Sequence, residues 1–428
     1  LTQRRTDYLA RPTRRLAVVV MSIGVATIVA GGSLGFAAAL LVVVLGAVVV
    51  DAFFLMRSRG SSQRSSANTV ALNVASPFSL ETSPFRPSRV ARLRQPSSPD
   101  VVLCPDESSN AVLSGTLTGT HRGIHHLNKP VVRLNGPLGL MSRDATLDDD
   151  DEVRVIPDLP KARRMALARR HGLGLDDGRV RNRLGVGTDF ESIREYSPDD
   201  DIRQVNWVAS SRSGRLMSNQ YRIDENRDIM CLIDTGRLMA SPVGELNRLD
   251  VALDAMTILC VEAEESQDRV GAMAFSSEVH RRLGSRRYGT SGIIDALYDL
   301  EPSEIESDYE RAFIAVGRHK RALVVVFTDL VDESASRALL SACPILTRHH
   351  ALMVVSCLDP DLASAVNNEP HNIHDVLRTS VALDLLSAKN RVRSLLSSMG
   401  AVVVEADAEK LGSACVRSYF TLKSRARL

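Results

Sequence analysis

The 428-residue chain has almost no net charge, with 53 Lys and Arg against 51 Asp and Glu. That balance gives no global electrostatic argument for a nucleic-acid partner. Its six cysteines (Cys104, Cys231, Cys260, Cys343, Cys357 and Cys415) are scattered, without the spacing of a zinc or redox motif. Most lie in apolar runs, the setting of buried thiols in a reducing compartment. There is no nucleophile elbow, P-loop or glycine-rich dinucleotide turn. Gly289-Thr290-Ser291-Gly292 lacks the Lys-Ser/Thr that completes a phosphate cradle. The chain is also too long for one ordinary core, so two or three domains are expected.

The longest absence is of charge. No charged residue occurs from Leu16 to Val50, a helix of roughly 50 Å against a hydrocarbon core of ~30 Å. Two spans, about 16–31 and 34–56, hinged at Gly31-Gly32-Ser33, fit that length. One long tilted span is the rival. Arginines flank both ends (Arg4, Arg5, Arg11, Arg14 and Arg15 before, Arg57, Arg59 and Arg64 after), and positive flanks stay cytoplasmic. A hairpin satisfies both flanks and makes residues 1–59 a multi-pass anchor in the cell membrane, with the rest of the chain cytoplasmic. Asp51 falls near the inner end, within reach of the interface.

Residues 60–98, rich in Ser, Pro and Arg, read as a linker whose basic side chains lie near anionic headgroups. Short β-like runs over 99–160 (Val101–Cys104, 111–118, 131–134, 153–156) suggest a small β-sandwich-like domain. The acidic run Asp148 to Glu152 reads as a solvated loop. His125 and His126 would point to opposite faces of a strand, so they do not share a metal. Residues 161–227 form a connector into the last domain.

That domain, 228–428, is organised around Asp228 to Asp234. Five apolar residues, Ile229 to Ile233, suit a strand buried on both faces and end on a carboxylate. Ala322 to Asp329 repeats the pattern. Strands alternate with helical stretches at 249–265, 293–300, 309–316, 334–346, 373–399 and 408–422, which predicts an α/β parallel sheet with helices on both faces. Ligands bind beyond the carboxyl ends of such strands, and two carboxylates there are the donors a hard divalent cation prefers.

The most distinctive stretch is Asp189 to Trp207. Ser197 is placed to cap a helix with Pro198 at its first position. On one reading Arg194, Arg203 and Arg212 pair with Asp199, Asp200 and Asp201, and Trp207, the only tryptophan, enters the core. On the other the segment is a partner or metal site. Its Arg194-Glu195-Tyr196, Pro198, Asp200-Asp201, Arg203, Trp207 and 209–212 resemble the bacterial membrane proteins catalogued as domain of unknown function family fifty-eight. Those proteins carry a von Willebrand factor A-like domain and accompany MoxR-type AAA+ ATPases. His121-Arg122-Gly123, the 136–140 Gly-Pro-Leu-Gly-Leu run, 155–157, the 234–239 stretch and Thr328-Asp329-Leu330 also fit, in the family's order. Asp199 and Asn206 depart from it, standing where glycine and aspartate are usual.

The resemblance implies a von Willebrand factor A-like fold and a non-enzymatic adaptor or co-chaperone, acting with the ATPase on client proteins. Arg194, Glu195, Tyr196, Asp200, Asp201, Arg203 and Trp207 would be the partner-binding residues. It also implies a metal position built from Asp234, Ser307 and Asp329. Gly236 and Leu238 replace two serines of the usual loop, which leaves a weak, water-filled Mg²⁺ site or none. The alternative from another class is a metal-dependent hydrolase using Asp199, Asp200 and Asp201. Adjacent helical positions splay by ~100°, which opposes shared ligation.

Overall fold

The computed structural model describes residues 10–29, 34–148, 151–170, 189–197, 200, 202–222, 227–287, 289–317, 321–331, 333–334, 336–369 and 371–424. The chain divides into two compact units, Leu1–Ile156 and Pro157–Leu428.

The first unit opens with two apolar helices, Arg14–Val29 and Leu34–Arg57. Among the described residues, the stretch Gly35–Arg57 is the one long and apolar enough to cross a membrane by length and composition. The expected hinge at 31–33 lies outside the described residues. Asp51 does not reach out to an interface. It is fully buried and accepts the N–H groups of Leu138, Leu140 and Met141, each at 2.8 Å. Three such donors replace the hydration that an ionised carboxylate loses on burial. Gly136 is required beside it, because a Cβ there would collide with the Asp51 carboxylate. At the other end of the helical pair, Thr13 Oγ1 donates to Gly139 O at 2.7 Å. Arg11–Pro12 pairs antiparallel with Met141 and Ser142.

The 60–98 stretch is not a linker. It forms strands Ser62–Ser66, Thr69–Ala71, Ser76–Thr82 and Arg89–Arg94, built into four-, three- and five-stranded sheets of this unit. Most serines and arginines take the outward positions, the buried Arg64 side chain and Ser88 excepted, while Phe78, Leu80, Phe85 and Leu93 turn inward. A period of two with so few large apolar residues resembles linker composition, which explains the misreading. The boundary of the β-rich region moves accordingly, from 99–160 to a unit ending at Ile156.

The second unit begins with the helix Leu159–Arg170, whose Ala162 and Ala166 pack on Ile258, Val261 and Val416. An antiparallel pair, Asp189–Glu195 with Met217–Arg222, carries the short helix Trp207–Ser213 between its strands. Then comes a six-stranded sheet: β1 (Asp228–Asp234), β2 (Arg269–Phe275), β3 (Val279–Arg286), β4 (Leu323–Phe327), β5 (Ala351–Cys357) and β6 (Val402–Ala406). The order is β3-β2-β1-β4-β5-β6. All neighbours are parallel except β3, which runs antiparallel to β2 at the edge.

Alternate residues of each central strand serve opposite cores. Ile229, Cys231, Ile233, Val325 and Phe327 pack with helices Arg248–Glu265, Thr290–Leu297 and Ala408–Ser424. Met230, Leu232, Val324 and Val326 pack with Tyr309–Val316, Arg337–Thr347 and Ile373–Ser398. Each fully buried large aliphatic contributes roughly 1.5–3 kcal/mol, so this sheet is the stable platform of the unit. The chain leaves β1 toward β2 and returns to β4 on its other side. The reversal of strand order between β1 and β4 is where an open α/β sheet forms its crevice, and Asp234 and Asp329 stand at that edge.

Candidate functional site: the carboxyl edge of the sheet and the signature segment

Asp234 ends β1 and is almost wholly buried. Its Oδ1 accepts the Gly236 N–H at 2.8 Å and the Ser307 hydroxyl. Its Oδ2 faces the hydroxyls of Tyr309 and Thr328, at 2.7 and 2.6 Å. Four donors match the roughly four lone-pair positions of a carboxylate. Burial, together with the charge on Asp234, pushes the Tyr309 phenol well above its ordinary pKa, so it stays protonated and remains a donor. Gly236 has a spatial role here, since a side chain at 236 would overlap the Ser307 hydroxyl. The hydroxyl missing from the 236 position is thus supplied by Ser307 from a different loop.

Asp329, two residues past β4, is held differently. Its Oδ1 lies 3.0 Å from Arg248 Nη1, 3.6 Å from Lys389 Nζ and 3.2 Å from Ser356 Oγ. Arg248 opens its helix behind an Asn247–Asp250 capping box and also donates to Cys357 O and Asp359, both at 3.1 Å. Burial drives the Asp329 carboxyl above its ordinary value, against the opposing pull of Lys389 and Arg248. A void of about 10 Å³, bordered by Arg248, Thr328, Asp329 and Cys357, has room for one water at most.

Of the three residues expected to hold a divalent cation, Asp234 and Ser307 therefore meet, while Asp329 is engaged elsewhere. The donor set does not fit such an ion. One carboxylate has its lone pairs filled by hydrogen-bond donors, and the other already has a guanidinium and an ammonium beside it. A further cation there would meet like charge. No group of three or more His, Cys, Asp or Glu suited to a metal occurs among the described residues, the His121–His126 region included.

In the signature segment, Arg194 Nη2 donates to Asp200 Oδ1, and Asp200 Oδ2 accepts the Ser197 N–H at 2.9 Å. The Tyr196 hydroxyl reaches Asp200 O at 3.3 Å. Glu195 sits 3.7 Å from Arg215, with both side chains exposed. Arg194, Tyr196 and Asp200 are thus brought together as the staple of a turn. Asp199 and Asp201 lie outside the described residues, as does Pro198. Arg203 falls in the short 3-10 turn Ile202–Gln204. The helix that follows is capped by Asn206, which accepts the Ala209 N–H at 2.9 Å and donates to Asn219. Asparagine thus serves the capping role well.

Trp207 is not in the core. It is 66% exposed, and Ile202 (68%), Val208 (62%) and Leu216 (49%) are exposed with it. The reason is local: helix Trp207–Ser213 has seven residues and no buried side chain. Sequence reasoning did not assign Tyr309, Thr328, Arg248 or Lys389 to the site, and it placed Asp51 at the interface and not in the buried turn. The one advance signal was Asp51, an acid at the end of an uncharged run.

Residues 192–401 are a domain of the family described as Protein of unknown function DUF58. Among curated proteins, the chain is 21% identical over 182 residues to the Uncharacterized protein Rv1480 of Mycobacterium tuberculosis, a match covering 41% of this chain and 56% of that one. It is 25% identical over 122 residues to the Uncharacterized protein YeaD of Bacillus subtilis, covering 28% and 30%. The chain therefore spans only about half, or less, of the relatives it matches. A cohesin module from Clostridium perfringens aligns with 12% identity and a TM-score of 0.16, over 23% of this chain and 97% of the module. That likeness is too slight to carry an argument.

Proposed function

We propose that the chain is a membrane-anchored protein-interaction module without catalytic activity of its own. It works as an adaptor or co-chaperone beside a MoxR-type AAA+ ATPase in assembling or remodelling other proteins. The observation that carries this reading is the exposed apolar group Ile202, Trp207, Val208 and Leu216 on the signature segment. Large apolar side chains left in water close together in the sequence are candidates for an interaction site, and tryptophan is favoured where binding energy concentrates. The ATPase itself comes from the family resemblance. Asp234 and Asp329 are buried, so they shape the sheet edge from beneath and do not touch the partner.

In this reading the six-stranded sheet is von Willebrand factor A-like, supported by its parallel order, its two helical layers and its aspartates at the strand-order reversal. The helices Arg14–Val29 and Leu34–Arg57 form a transmembrane hairpin. Thr13 before the pair and Asp51 near its end both bind the 138–141 turn, which favours entry and exit on one side. Arginine flanks make that side cytoplasmic. The hydrolase alternative gains nothing from Asp200, whose oxygens are taken up by Arg194 and the Ser197 amide.

The test is capture of the tagged full-length chain from crosslinked native membranes. The wild type recovers an AAA+ ATPase, and Ile202→Ser with Trp207→Ala recovers at least roughly tenfold less at unchanged melting temperature. Equal recovery by the double variant removes this surface. No ATPase, with the bait well recovered, removes the partner.

A further inference from the structure

The arginines of the first unit fall into two sets. Away from the apolar helices several are paired: Arg92 with Glu107 (3.2 Å), Arg94 with Asp106 (3.2 Å) and Arg133 with Asp144 (2.6 Å), while Arg154 on its strand has no ion-pair partner among the described residues. Around the base of the helices they are not. Arg14, Arg15, Arg57, Arg59, Arg86 and Arg89 are all exposed, and none has an ion-pair partner among the described residues. Their neighbourhood is poor in acid as well. Residues 11–98 contain two carboxylates, Asp51 and Glu81, and Asp51 is buried in its three N–H bonds.

Hydrogen bonds hold these arginines at one end of the helices. The Ser58 and Ser88 hydroxyls meet at 2.7 Å, which joins the 57–59 stretch to 86–89. Thr13 is bonded to Gly139, and the Arg15 guanidinium lies against that glycine. Asp51, on the returning helix, grips the same turn. The protein thus neutralises most of its distant guanidinium groups internally and leaves a cluster of six unneutralised where an apolar helix emerges.

We propose that this collar binds the headgroups of anionic phospholipids, two or more at a time, with Arg57, Arg59, Arg86 and Arg89 as one subsite and Arg14 and Arg15 as another. The recognition is of charge: a basic residue at an anionic bilayer surface, arginine or lysine, contributes about 1 kcal/mol. The proposal rests on the membrane-anchored reading above and adds a lipid preference to it.

The experiment reconstitutes the full-length chain in mixed phosphatidylcholine–phosphatidylglycerol nanodiscs and measures, by native mass spectrometry, which lipids stay bound. The expected result is an enrichment of phosphatidylglycerol over its share of the bilayer. It falls roughly fivefold or more in Arg57→Gln/Arg59→Gln/Arg86→Gln/Arg89→Gln and is kept when the same four positions become lysine. Equal enrichment in the wild type and the glutamine variant overturns the collar, and so does loss in the lysine variant at unchanged melting temperature. Alkaline carbonate extraction of the same protein separates the two readings. Release from the membrane refutes the anchor, whereas retention without lipid preference refutes only the collar.

Discussion

Asp234 ends β1 and Asp329 lies two residues past the end of the adjacent parallel strand β4, yet their carboxylates are stabilised in opposite ways. Around Asp234 the partners are neutral: one amide and three hydroxyls. Around Asp329 they are cations, Arg248 and Lys389. The motif "buried run ending in aspartate" therefore specifies a position in the fold and not a chemistry. The chemistry is set by which distant side chains arrive, and Ser307, Tyr309 and Thr328 at Asp234, like Arg248 and Lys389 at Asp329, lie more than 50 residues away in sequence.

The difference should be largest on truncation. Asp329→Ala leaves the Lys389 ammonium buried without a carboxylate and strips Arg248 of one of its two, Asp359 remaining, which costs about 3–5 kcal/mol. Hydrogen exchange of the β4 and β5 amides reads this loss within the second unit alone, and a loss below about 1 kcal/mol would erase the distinction between the two sites. Asp234→Asn costs less, roughly 1–3 kcal/mol. It sets an amide donor against hydroxyl donors but strands no charge, and the exchange rates of β1 check it. Should Asp234→Asn prove the costlier change, the hydroxyl cluster and not the ion pair is the keystone of the edge.

The smallest effect is on pH dependence. Burial raises both Asp329 and Glu405 above the usual carboxylate range. Each therefore holds its proton in the folded state at a pH where the unfolded chain has lost it. Their contribution is full below the ordinary carboxylate pKa and is lost as pH rises through the raised value. Stability of the second unit should thus decline with rising pH across that window. Glu405→Gln should flatten the decline in part, leaving the share due to Asp329, and an unchanged slope would assign the whole of it to other groups.

Much of the second unit was legible in the sequence because its signals are local. Runs such as Ile229 to Ile233 and Leu323 to Phe327 are short and uniformly apolar, which suits strands buried on both faces, and the helix over 248–265 shows its apolar face. The site was less legible. Ser307 was found through the resemblance, but Arg248 and Lys389 sit on helices whose charged residues look like ordinary solvent-facing positions. Only the fold shows that they turn inward to Asp329. Trp207 failed for the opposite reason: a large aromatic residue implies a core, and nothing local says that its helix is too short to make one. The 60–98 strands were hidden by composition, since serine and arginine on an outer face resemble a linker when the inner face carries one large residue in every several.

The Asp51 contact also sets a timetable for biogenesis. The carboxylate emerges from the ribosome within an apolar helix, but its three N–H partners lie about 90 residues further on. At ~5–20 residues per second, synthesis takes roughly 5–20 s to cover that distance. For that interval the helix carries a carboxylate without its hydrogen-bond donors, and its final setting waits on a turn not yet translated. The helix is made about 90 residues before the turn that completes its setting.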